Sequence, residues 1–207
     1  MAKTSYLIGI VGGSASGKSS FLRDLLGRLP AKQCAVVSQD NYYRDIGEQM
    51  RDEAGHPNFD LPTAIRHELF AADLQKLLHG EQIAKVEYTF NHRDRQGRTI
   101  VVEPAPVILV EGLFLFHFED VRTLFDLRVF IDAREDVCKQ RRLQRDAAER
   151  GYPAEYVEYQ WENHVLPAYR QFVLPCRDAA HVIVTNHDGY DKGLEVVAHH
   201  ILTIIGG

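Results

Sequence analysis

Hydrophobic positions along the chain fall into two patterns, short runs that are apolar throughout and longer segments in which apolar residues recur every three or four positions. The short runs are rich in β-branched residues and are typical of strands buried on both faces. The longer segments have the spacing of amphipathic helices. Runs that predict strands are 6–11, 35–37, 107–110, 127–131 and 182–184. Segments that predict helices are 20–29, 62–78, 134–150, 154–174 and 191–205.

Buried strands that alternate with helices predict a mostly parallel sheet with helices on both faces, which is a three-layer α/β fold. The length of 207 residues predicts one domain over 1–207. Within the predicted helix 62–78, one side is expected to be apolar. The residues assigned to that side are Leu69, Leu74, Leu77 and Leu78.

Two polar stretches interrupt this pattern. The first, 41–60, predicts a long loop with some helix, and loops of that length tend to be functional. The second, 91–98, lies between strand-like runs at 84–90 and 99–102. Together these predict a β-hairpin over about 84–102 that would act as a flap at the edge of the site.

Net charge, apolar stretches and cysteine spacing indicate which partners and which cellular location to expect. The chain carries 24 Lys and Arg against 29 Asp and Glu, a net charge of −5, which argues against a nucleic-acid partner. No stretch approaches the roughly 20 apolar residues of a membrane span, so no membrane partner is expected. The 3 cysteines have neither disulfide-scaffold nor metal-ligand spacing, which predicts reduced thiols and a cytoplasmic location.

A glycine-rich segment between the first strand and the first helix matches G-x-x-x-x-G-K-[ST] in full. Its backbone N–H groups are expected to bind phosphate oxygens, with Lys18 on the β- and γ-phosphates and Ser19 on Mg²⁺. A Gly/Ser-rich turn that matches by chance is the alternative. The predicted nucleotide-binding residues are Gly12, Gly13, Ser14, Ala15, Ser16, Gly17, Lys18, Ser19 and Ser20.

Two acidic residues follow predicted strands, where the ligand edge of an α/β sheet lies. Glu111 follows 107–110 and could hold Mg²⁺, usually through water. Asp40 comes shortly after 35–37 and could take a proton from an acceptor hydroxyl or help to hold the metal. Both could instead be ordinary polar loop residues.

Positive charge concentrates in the predicted helix 134–150. Arg142 and Arg145 share a face, and such a cluster can stabilise a transferring phosphoryl group. A solvated helix with i,i+4 ion pairs is the alternative, since Arg142 could pair with Asp146 and Arg145 with Glu149. The positive residues are Lys139, Arg141, Arg142, Arg145 and Arg150.

A phosphate-binding loop alone leaves a GTPase switch, an ATPase and a small-molecule kinase open. The ordered set of motifs resembles the uridine–cytidine kinases, in the wider group that includes phosphoribulokinase and nicotinamide riboside kinase. The likeness extends from Ile8 to about Asn186. Its motifs are Gly-Gly-Ser-Ala-Ser-Gly-Lys-Ser at 12–19, Ser-Gln-Asp-Asn-Tyr-Tyr at 38–43, Asn-Phe-Asp at 58–60, Glu-Gly-Leu-Phe-Leu-Phe at 111–116 and Arg-Arg-Leu-Gln-Arg-Asp at 141–146.

The resemblance implies a P-loop nucleoside kinase with a hairpin flap and an Arg-rich helical lid over about 134–160. It would use ATP or GTP with Mg²⁺ to phosphorylate the 5′-hydroxyl of uridine, and of cytidine, in pyrimidine salvage. The resemblance also implies a homo-oligomer, which is a tetramer in the family. It further implies a role for each site residue. Asp40 would be the catalytic base, Lys18, Ser19 and Glu111 would bind the triphosphate and Mg²⁺, and Arg145 and Arg150 would lie over the phosphates. Asp60, Arg142 and Gln160 would bind the ribose hydroxyls, and Tyr88 and His92 would face the base.

One part of the family pattern differs. The base-reading histidine stands five residues after the tyrosine in the family, whereas His92 stands four after Tyr88 and Arg93 occupies the fifth position. Two alternatives therefore stay open. One is a kinase of another small hydroxyl substrate, such as a different nucleoside or a sugar phosphate, and the other is a nucleotide-binding switch protein.

Overall fold

A computed structural model describes residues 5–89 and 97–206. Five strands form a parallel sheet in the order β2-β5-β1-β6-β7, and β3 pairs with β4 in a separate antiparallel hairpin. The strands are β1 (Tyr6–Gly12), β2 (Cys34–Ser38), β3 (Ile83–Val86), β4 (Thr99–Val102), β5 (Val107–Glu111), β6 (Leu127–Asp132) and β7 (Val182–Thr185).

Helices connect the strands and complete three layers, as the sequence predicts. None of the helices within the described residues is both long and apolar enough to cross a bilayer. The helices are α1 (Lys18–Leu26), α2 (His67–Leu78), α3 (Glu119–Arg122), α4 (Glu135–Arg150), α5 (Ala154–Gln160), α6 (Leu166–Ala168) and α7 (Asp191–Gly206).

The sheet buries both faces, which explains why its strands are apolar at successive positions. Ile8 and Ile10 of β1 pack in the cluster formed with α1 and α7. Leu7 and Val11 belong to the cluster on the opposite face, which includes α2. Because successive side chains of a strand point to opposite faces, β1 contributes to both clusters.

Helix α2 corrects one assignment. Its buried residues are Phe70, Asp73, Leu74, Leu77 and Leu78, whereas Leu69 is 42% exposed. Because the buried side of the helix includes the polar residue Asp73, the apolar residues alone do not identify which side of α2 faces the core. Asp73 is compatible with burial because it accepts a hydrogen bond from the hydroxyl of Tyr42 and pairs with Lys85.

The segment predicted as one helix over 154–174 is helical but not regular. After α5 it forms a π-helical turn, Trp161–Val165, and a second one, Tyr169–Val173, follows α6. Pro167 and Pro175 have no N–H to donate, so a regular ladder of α-helical hydrogen bonds cannot continue through them. The π turns accommodate this interruption. In the hairpin, β3 runs over Ile83–Val86 instead of 84–90.

Candidate active site

The phosphate-binding loop joins β1 to α1, where the sequence predicts it. Gly17 has a φ of 97°, a left-handed conformation that favours glycine. A Cβ at Gly17 would also overlap with Asn186, whose Nδ2 donates to the carbonyl oxygen of Ser16 at 2.7 Å. Both the backbone conformation and the close contact therefore require glycine at this position.

Lys18 lies at the first turn of α1 with its side chain folded back over the loop. Its Nζ donates to the carbonyl oxygens of Gly12 and Gly13, each at 2.9 Å. Burial lowers the pKa of Lys18, and the carboxylates of Glu111 and Asp40 oppose that shift. The ammonium group is therefore held at the mouth of the loop, close to two acids.

Those two acids lie at the carboxyl edge of neighbouring parallel strands. Ser38 at the end of β2 is in register with Glu111 at the end of β5, and its Oγ donates to Glu111 Oε1 at 2.6 Å. The backbone N–H of Asp40 donates to the same Ser38 Oγ at 3.3 Å. The same hydroxyl thus contacts the carboxylate of Glu111 and the backbone of Asp40, a link that the sequence pattern did not predict.

The environment of Asp40 changes its acidity. Burial, and then the negative charge of Glu111, raise the pKa of Asp40 to about 6, although Lys18, Arg150 and Arg145 act in the opposite direction. A carboxylate with a pKa near neutrality is suited to accept a proton.

The oxygen donors at this edge fit Mg²⁺. Ser19, Asp40 and Glu111 line one cavity, and hydroxyl and carboxylate oxygens are the ligands that Mg²⁺ prefers. Within residues 5–89 and 97–206 there is no group of three or more His, Cys, Asp and Glu residues with metal-binding geometry. This agrees with an ion held by one or two carboxylates together with phosphate oxygens and water.

The arginines of α4 surround a single buried carboxylate. Asp146, with 0% exposure, lies 3.2 Å from Arg142 Nε, 2.8 Å from Arg145 Nη2 and 3.6 Å from Arg150 Nε. The predicted pair between Arg142 and Asp146 therefore forms, whereas Arg145 pairs with Asp146 and not with Glu149. Asp146 was not predicted as the shared partner, although its position four residues from both Arg142 and Arg150 could have indicated it.

Arg142 also connects α4 to the phosphate-binding loop. Its Nη1 donates to Ser14 Oγ at 2.8 Å, and its Nη2 donates to Gln160 Oε1 at 3.2 Å. The guanidinium is therefore fixed from three directions by Asp146, Ser14 and Gln160.

Two adjoining cavities contain most of the predicted site. The phosphate-side cavity has a volume of about 450 Å³ and the acceptor-side cavity about 1110 Å³, and Tyr43, Arg142 and Arg150 line both. The predicted residues lining the phosphate-side cavity are Ser14, Ala15, Gly17, Lys18, Ser19, Ser20, Asp40, Asp60, Glu111, Arg142, Arg145 and Arg150. Those lining the acceptor-side cavity are Tyr88, Arg142, Arg150 and Gln160.

The remaining predicted residues lie elsewhere. Gly12, Gly13 and Ser16 are buried and line neither cavity. Asp60 lines only the phosphate-side cavity, whereas Gln160 lines only the larger one. His92 lies outside the described residues.

Two aromatic residues of the acceptor side were not among the predicted site residues. The ring centroids of Tyr43 and Phe59 are 5.7 Å apart, and Tyr88 lies 5.5 Å from Tyr43 and 6.4 Å from Phe59. The backbone N–H of Tyr88 donates to Asn41 Oδ1 at 3.0 Å, which ties the base of the hairpin to this cluster. The motifs Asn-Tyr-Tyr at 41–43 and Asn-Phe-Asp at 58–60, which contain Tyr43 and Phe59, could have indicated these two residues.

Comparisons with known proteins show the family to which the chain belongs. The sequence profile of the Phosphoribulokinase / Uridine kinase family matches residues 7–191. A uridine kinase of Leuconostoc citreum (strain KM20) is 38% identical over 199 residues, covering 95% of this chain and 92% of that protein. Uridine-cytidine kinase B of Dictyostelium discoideum is 32% identical over 200 residues, covering 97% and 82%.

A solved structure supports the fold. The phosphoribulokinase from Rhodobacter spheroides superposes with a TM-score of 0.67 at 17% sequence identity, covering 89% of this chain and 71% of that chain. The shared feature at this identity is the α/β architecture around the phosphate-binding loop.

Proposed function

This chain belongs to the phosphoribulokinase / uridine kinase family, and from that premise we propose that it transfers the γ-phosphoryl group of ATP or GTP to the 5′-hydroxyl of uridine, and of cytidine, in pyrimidine salvage. The observation that carries the proposal is the pair of adjoining cavities, one built around the phosphate-binding loop and the other lined by aromatic residues. Arg142 and Arg150 line both cavities, so a donor and an acceptor would meet beside them. Such positioning is the main contribution of an enzyme to phosphoryl transfer.

On the donor side, the loop backbone and Lys18 would bind the triphosphate. Mg²⁺, held by Ser19 and Glu111 with Asp40 close by, would neutralise charge on the phosphate oxygens. Asp40 would accept the proton of the attacking hydroxyl. Arg145, together with Arg150, would stabilise the charge that develops on the transferring group.

On the acceptor side, Asp60, Arg142 and Gln160 would bind the ribose hydroxyls, and Tyr88 would contact the base. A carboxylate accepts from a diol while a guanidinium donates to it, so the donor and acceptor requirements match. His92 stays a prediction for the base edge. The single domain, the cytoplasmic location, the absence of nucleic-acid and membrane partners and the tetramer likewise remain predictions from the sequence and the resemblance.

A panel of nucleosides tests the proposal, with ATP·Mg²⁺ or GTP·Mg²⁺ as donor and the product identified by mass. We expect uridine 5′-monophosphate and cytidine 5′-monophosphate. Phosphorylation of a different nucleoside or a sugar phosphate, with uridine unchanged, would favour the kinase of another hydroxyl substrate. Nucleotide turnover that no hydroxyl compound accelerates would favour a switch protein.

The pKa of Asp40 predicts the acid limb of the pH profile. The raised pKa, about 6, means that the carboxylate takes up a proton as the pH falls through that value. Since only the carboxylate accepts a proton, kcat/KM should fall about tenfold for each pH unit below 6. Initial rates between about pH 4.5 and pH 8 measure this limb. A flat profile down to about pH 4.5 would contradict the role of Asp40.

Loss of a ribose hydroxyl should weaken transfer. Without the 2′-hydroxyl, polar groups of Arg142 and Gln160, both less than 8% exposed, would lose a partner. An unsatisfied buried polar group costs about 1–3 kcal/mol, which corresponds to roughly 5–150-fold in kcat/KM. Competition between uridine and 2′-deoxyuridine measures the ratio, and equal values would argue against ribose recognition by these residues.

A further inference from the structure

The loop 43–60 and helix α5 carry different parts of the acceptor-side site, and a partly buried cluster joins them. Phe59 belongs to the loop, and Gln160 ends the helix. Between the two elements, Asp52 Oδ2 accepts from the hydroxyl of Tyr159 at 2.8 Å and lies 2.7 Å from His164 Nε2. We refer to Asp52, Tyr159 and His164 as the loop–helix latch.

The chemistry of the latch fixes its hydrogen bonds. Burial by itself raises the pKa of Asp52, but hydrogen bonds from the backbone of His56 and from Tyr159 and His164 outweigh it and lower the pKa to about 2. An ionised carboxylate only accepts, so His164 Nε2 must carry the hydrogen. His164 Nδ1 is buried and has no hydrogen-bond partner in the described part of the chain. The single bond to Asp52 therefore sets the orientation of the imidazole.

The latch residues flank the residues that line the site. Tyr159 directly precedes Gln160, and His164 lies in the π-helical turn that follows it. On the loop side, short contacts connect Asp52 to Asp60. The N–H of Asp52 donates to the carbonyl of His56 at 3.0 Å, that of Asn58 donates to the carbonyl of Met50 at 2.7 Å, and that of Asp60 donates to Asn58 Oδ1 at 2.9 Å.

Aromatic contacts strengthen the same junction. The ring of His56 lies 5.1 Å from that of Tyr159 and 5.2 Å from that of Tyr156. None of Asp52, His56, Tyr159 and His164 lines either cavity. Any effect of the latch on the substrate must therefore act through its neighbours in the chain.

We propose that the loop–helix latch is a positioning device for the acceptor, which holds Phe59 and Asp60 on the loop at a fixed distance from Gln160 on α5. This inference rests on the proposed function for the identity of the acceptor. Without the latch, the loop and the helix would separate, and the nucleoside would bind less tightly while the donor side stayed intact. The latch residues are thus positioning residues and not catalytic ones.

Kinetics of latch variants test the proposal. His164→Leu and Asp52→Asn should each raise KM for uridine about tenfold, leave kcat within about twofold and leave KM for the nucleotide unchanged. His164→Gln keeps an N–H donor for Asp52 and should recover part of the affinity. In the double variant Asp52→Asn/His164→Leu, the effects should not add, because both changes remove the same bond.

A matched pair of conservative variants separates the latch from general destabilisation. Tyr159→Phe removes a hydroxyl that donates to Asp52, whereas Tyr190→Phe removes one that donates to Asp24 at 2.6 Å, between α1 and the segment before α7. We expect KM for uridine to rise in Tyr159→Phe and to stay at the wild-type value in Tyr190→Phe. Equal effects of the two changes, or additive effects in the double variant, would overturn the proposal.

Hydrogen exchange provides a readout that needs no substrate. In His164→Leu, and in Tyr159→Phe if the first variant folds poorly, amides of 43–60 should exchange faster, whereas those of β1 and β5 should not change. Unchanged exchange in 43–60 would overturn the latch. Failure of the wild-type protein to phosphorylate uridine would overturn the proposed function alone, and the exchange experiment would still decide on the latch.

Discussion

Replacement of Lys18 by alanine is expected to reduce phosphoryl transfer by at least about 10³-fold while leaving the protein folded. The ammonium group is the positive charge that the loop itself provides, and its two bonds are to the carbonyl oxygens of Gly12 and Gly13. Its removal also takes away one of the cations that lower the pKa of Asp40, so that only Arg150 and Arg145 still act in this direction. The pKa of Asp40 should therefore rise further above 6 in this variant.

Single-turnover rates with ATP·Mg²⁺ and uridine measure the loss, and circular dichroism verifies the fold. Lys192→Ala is the matched control, because the Lys192 side chain is 93% exposed and pairs only with Glu195 among the ion pairs of the described residues. It should keep the wild-type rate. Near-normal turnover in Lys18→Ala would contradict the assignment of the phosphate-binding loop.

Asp40→Asn is expected to lower kcat by roughly 10²–10⁴-fold with little change in KM, which is the usual contribution of a positioned general base. The amide has almost the same shape but cannot accept the proton. A loss confined to KM would make Asp40 a binding residue and not a base.

The same substitution should stabilise the fold. Because burial and Glu111 raise the pKa of Asp40 from 3.8 to about 6, its ionised form is less favourable in the folded state than in the unfolded chain. Stability therefore falls as the pH rises through this interval, and a neutral amide avoids that loss. Thermal unfolding at pH 8 should give a higher Tm for Asp40→Asn, by about 2–4 °C for each kcal/mol.

Two further measurements define this stability effect. Below about pH 4 the difference in Tm should disappear, because the wild-type carboxyl is then protonated in the unfolded chain as well as in the folded state. Asp24→Asn is the matched control, since the hydroxyl of Tyr190 lowers the pKa of Asp24. This variant should keep its kcat and should not gain stability. A lower Tm for Asp40→Asn at pH 8 would show that the ionised carboxylate does not destabilise the folded state.

The pKa values of Lys18 and Asp40, at the edge of the sheet, shift in opposite directions for the same physical reason. Both residues are half-buried, and the partial loss of water disfavours each charged form, so the pKa of the lysine falls while that of the acid rises. An arrangement of this kind is typical of functional sites, where stability is lower because charged groups are kept apart from water.

The sequence by itself determined the layered architecture and the location of the phosphate site. Strand, glycine-rich loop and helix follow one another directly between Tyr6 and Leu26, so their relation is a local property of the chain. Asp40 and Glu111 could be placed at one edge because parallel strands expose their carboxyl ends together. The charge of the α4 arginines was also visible in the sequence, although their common partner was not.

Tertiary structure alone decided how these groups are joined. Asp146 pairs with three arginines, the hydroxyl of Ser38 donates to Glu111 from a different strand, and Asp52 contacts His164 across 112 positions. Hydrophobic periodicity records which side of an element is buried, but not which polar side chain of another element it meets. For the same reason the pattern predicted Leu69, and not Phe70, on the buried side of α2. The side that is in fact buried includes Asp73, whose burial depends on partners outside the helix, Tyr42 and Lys85.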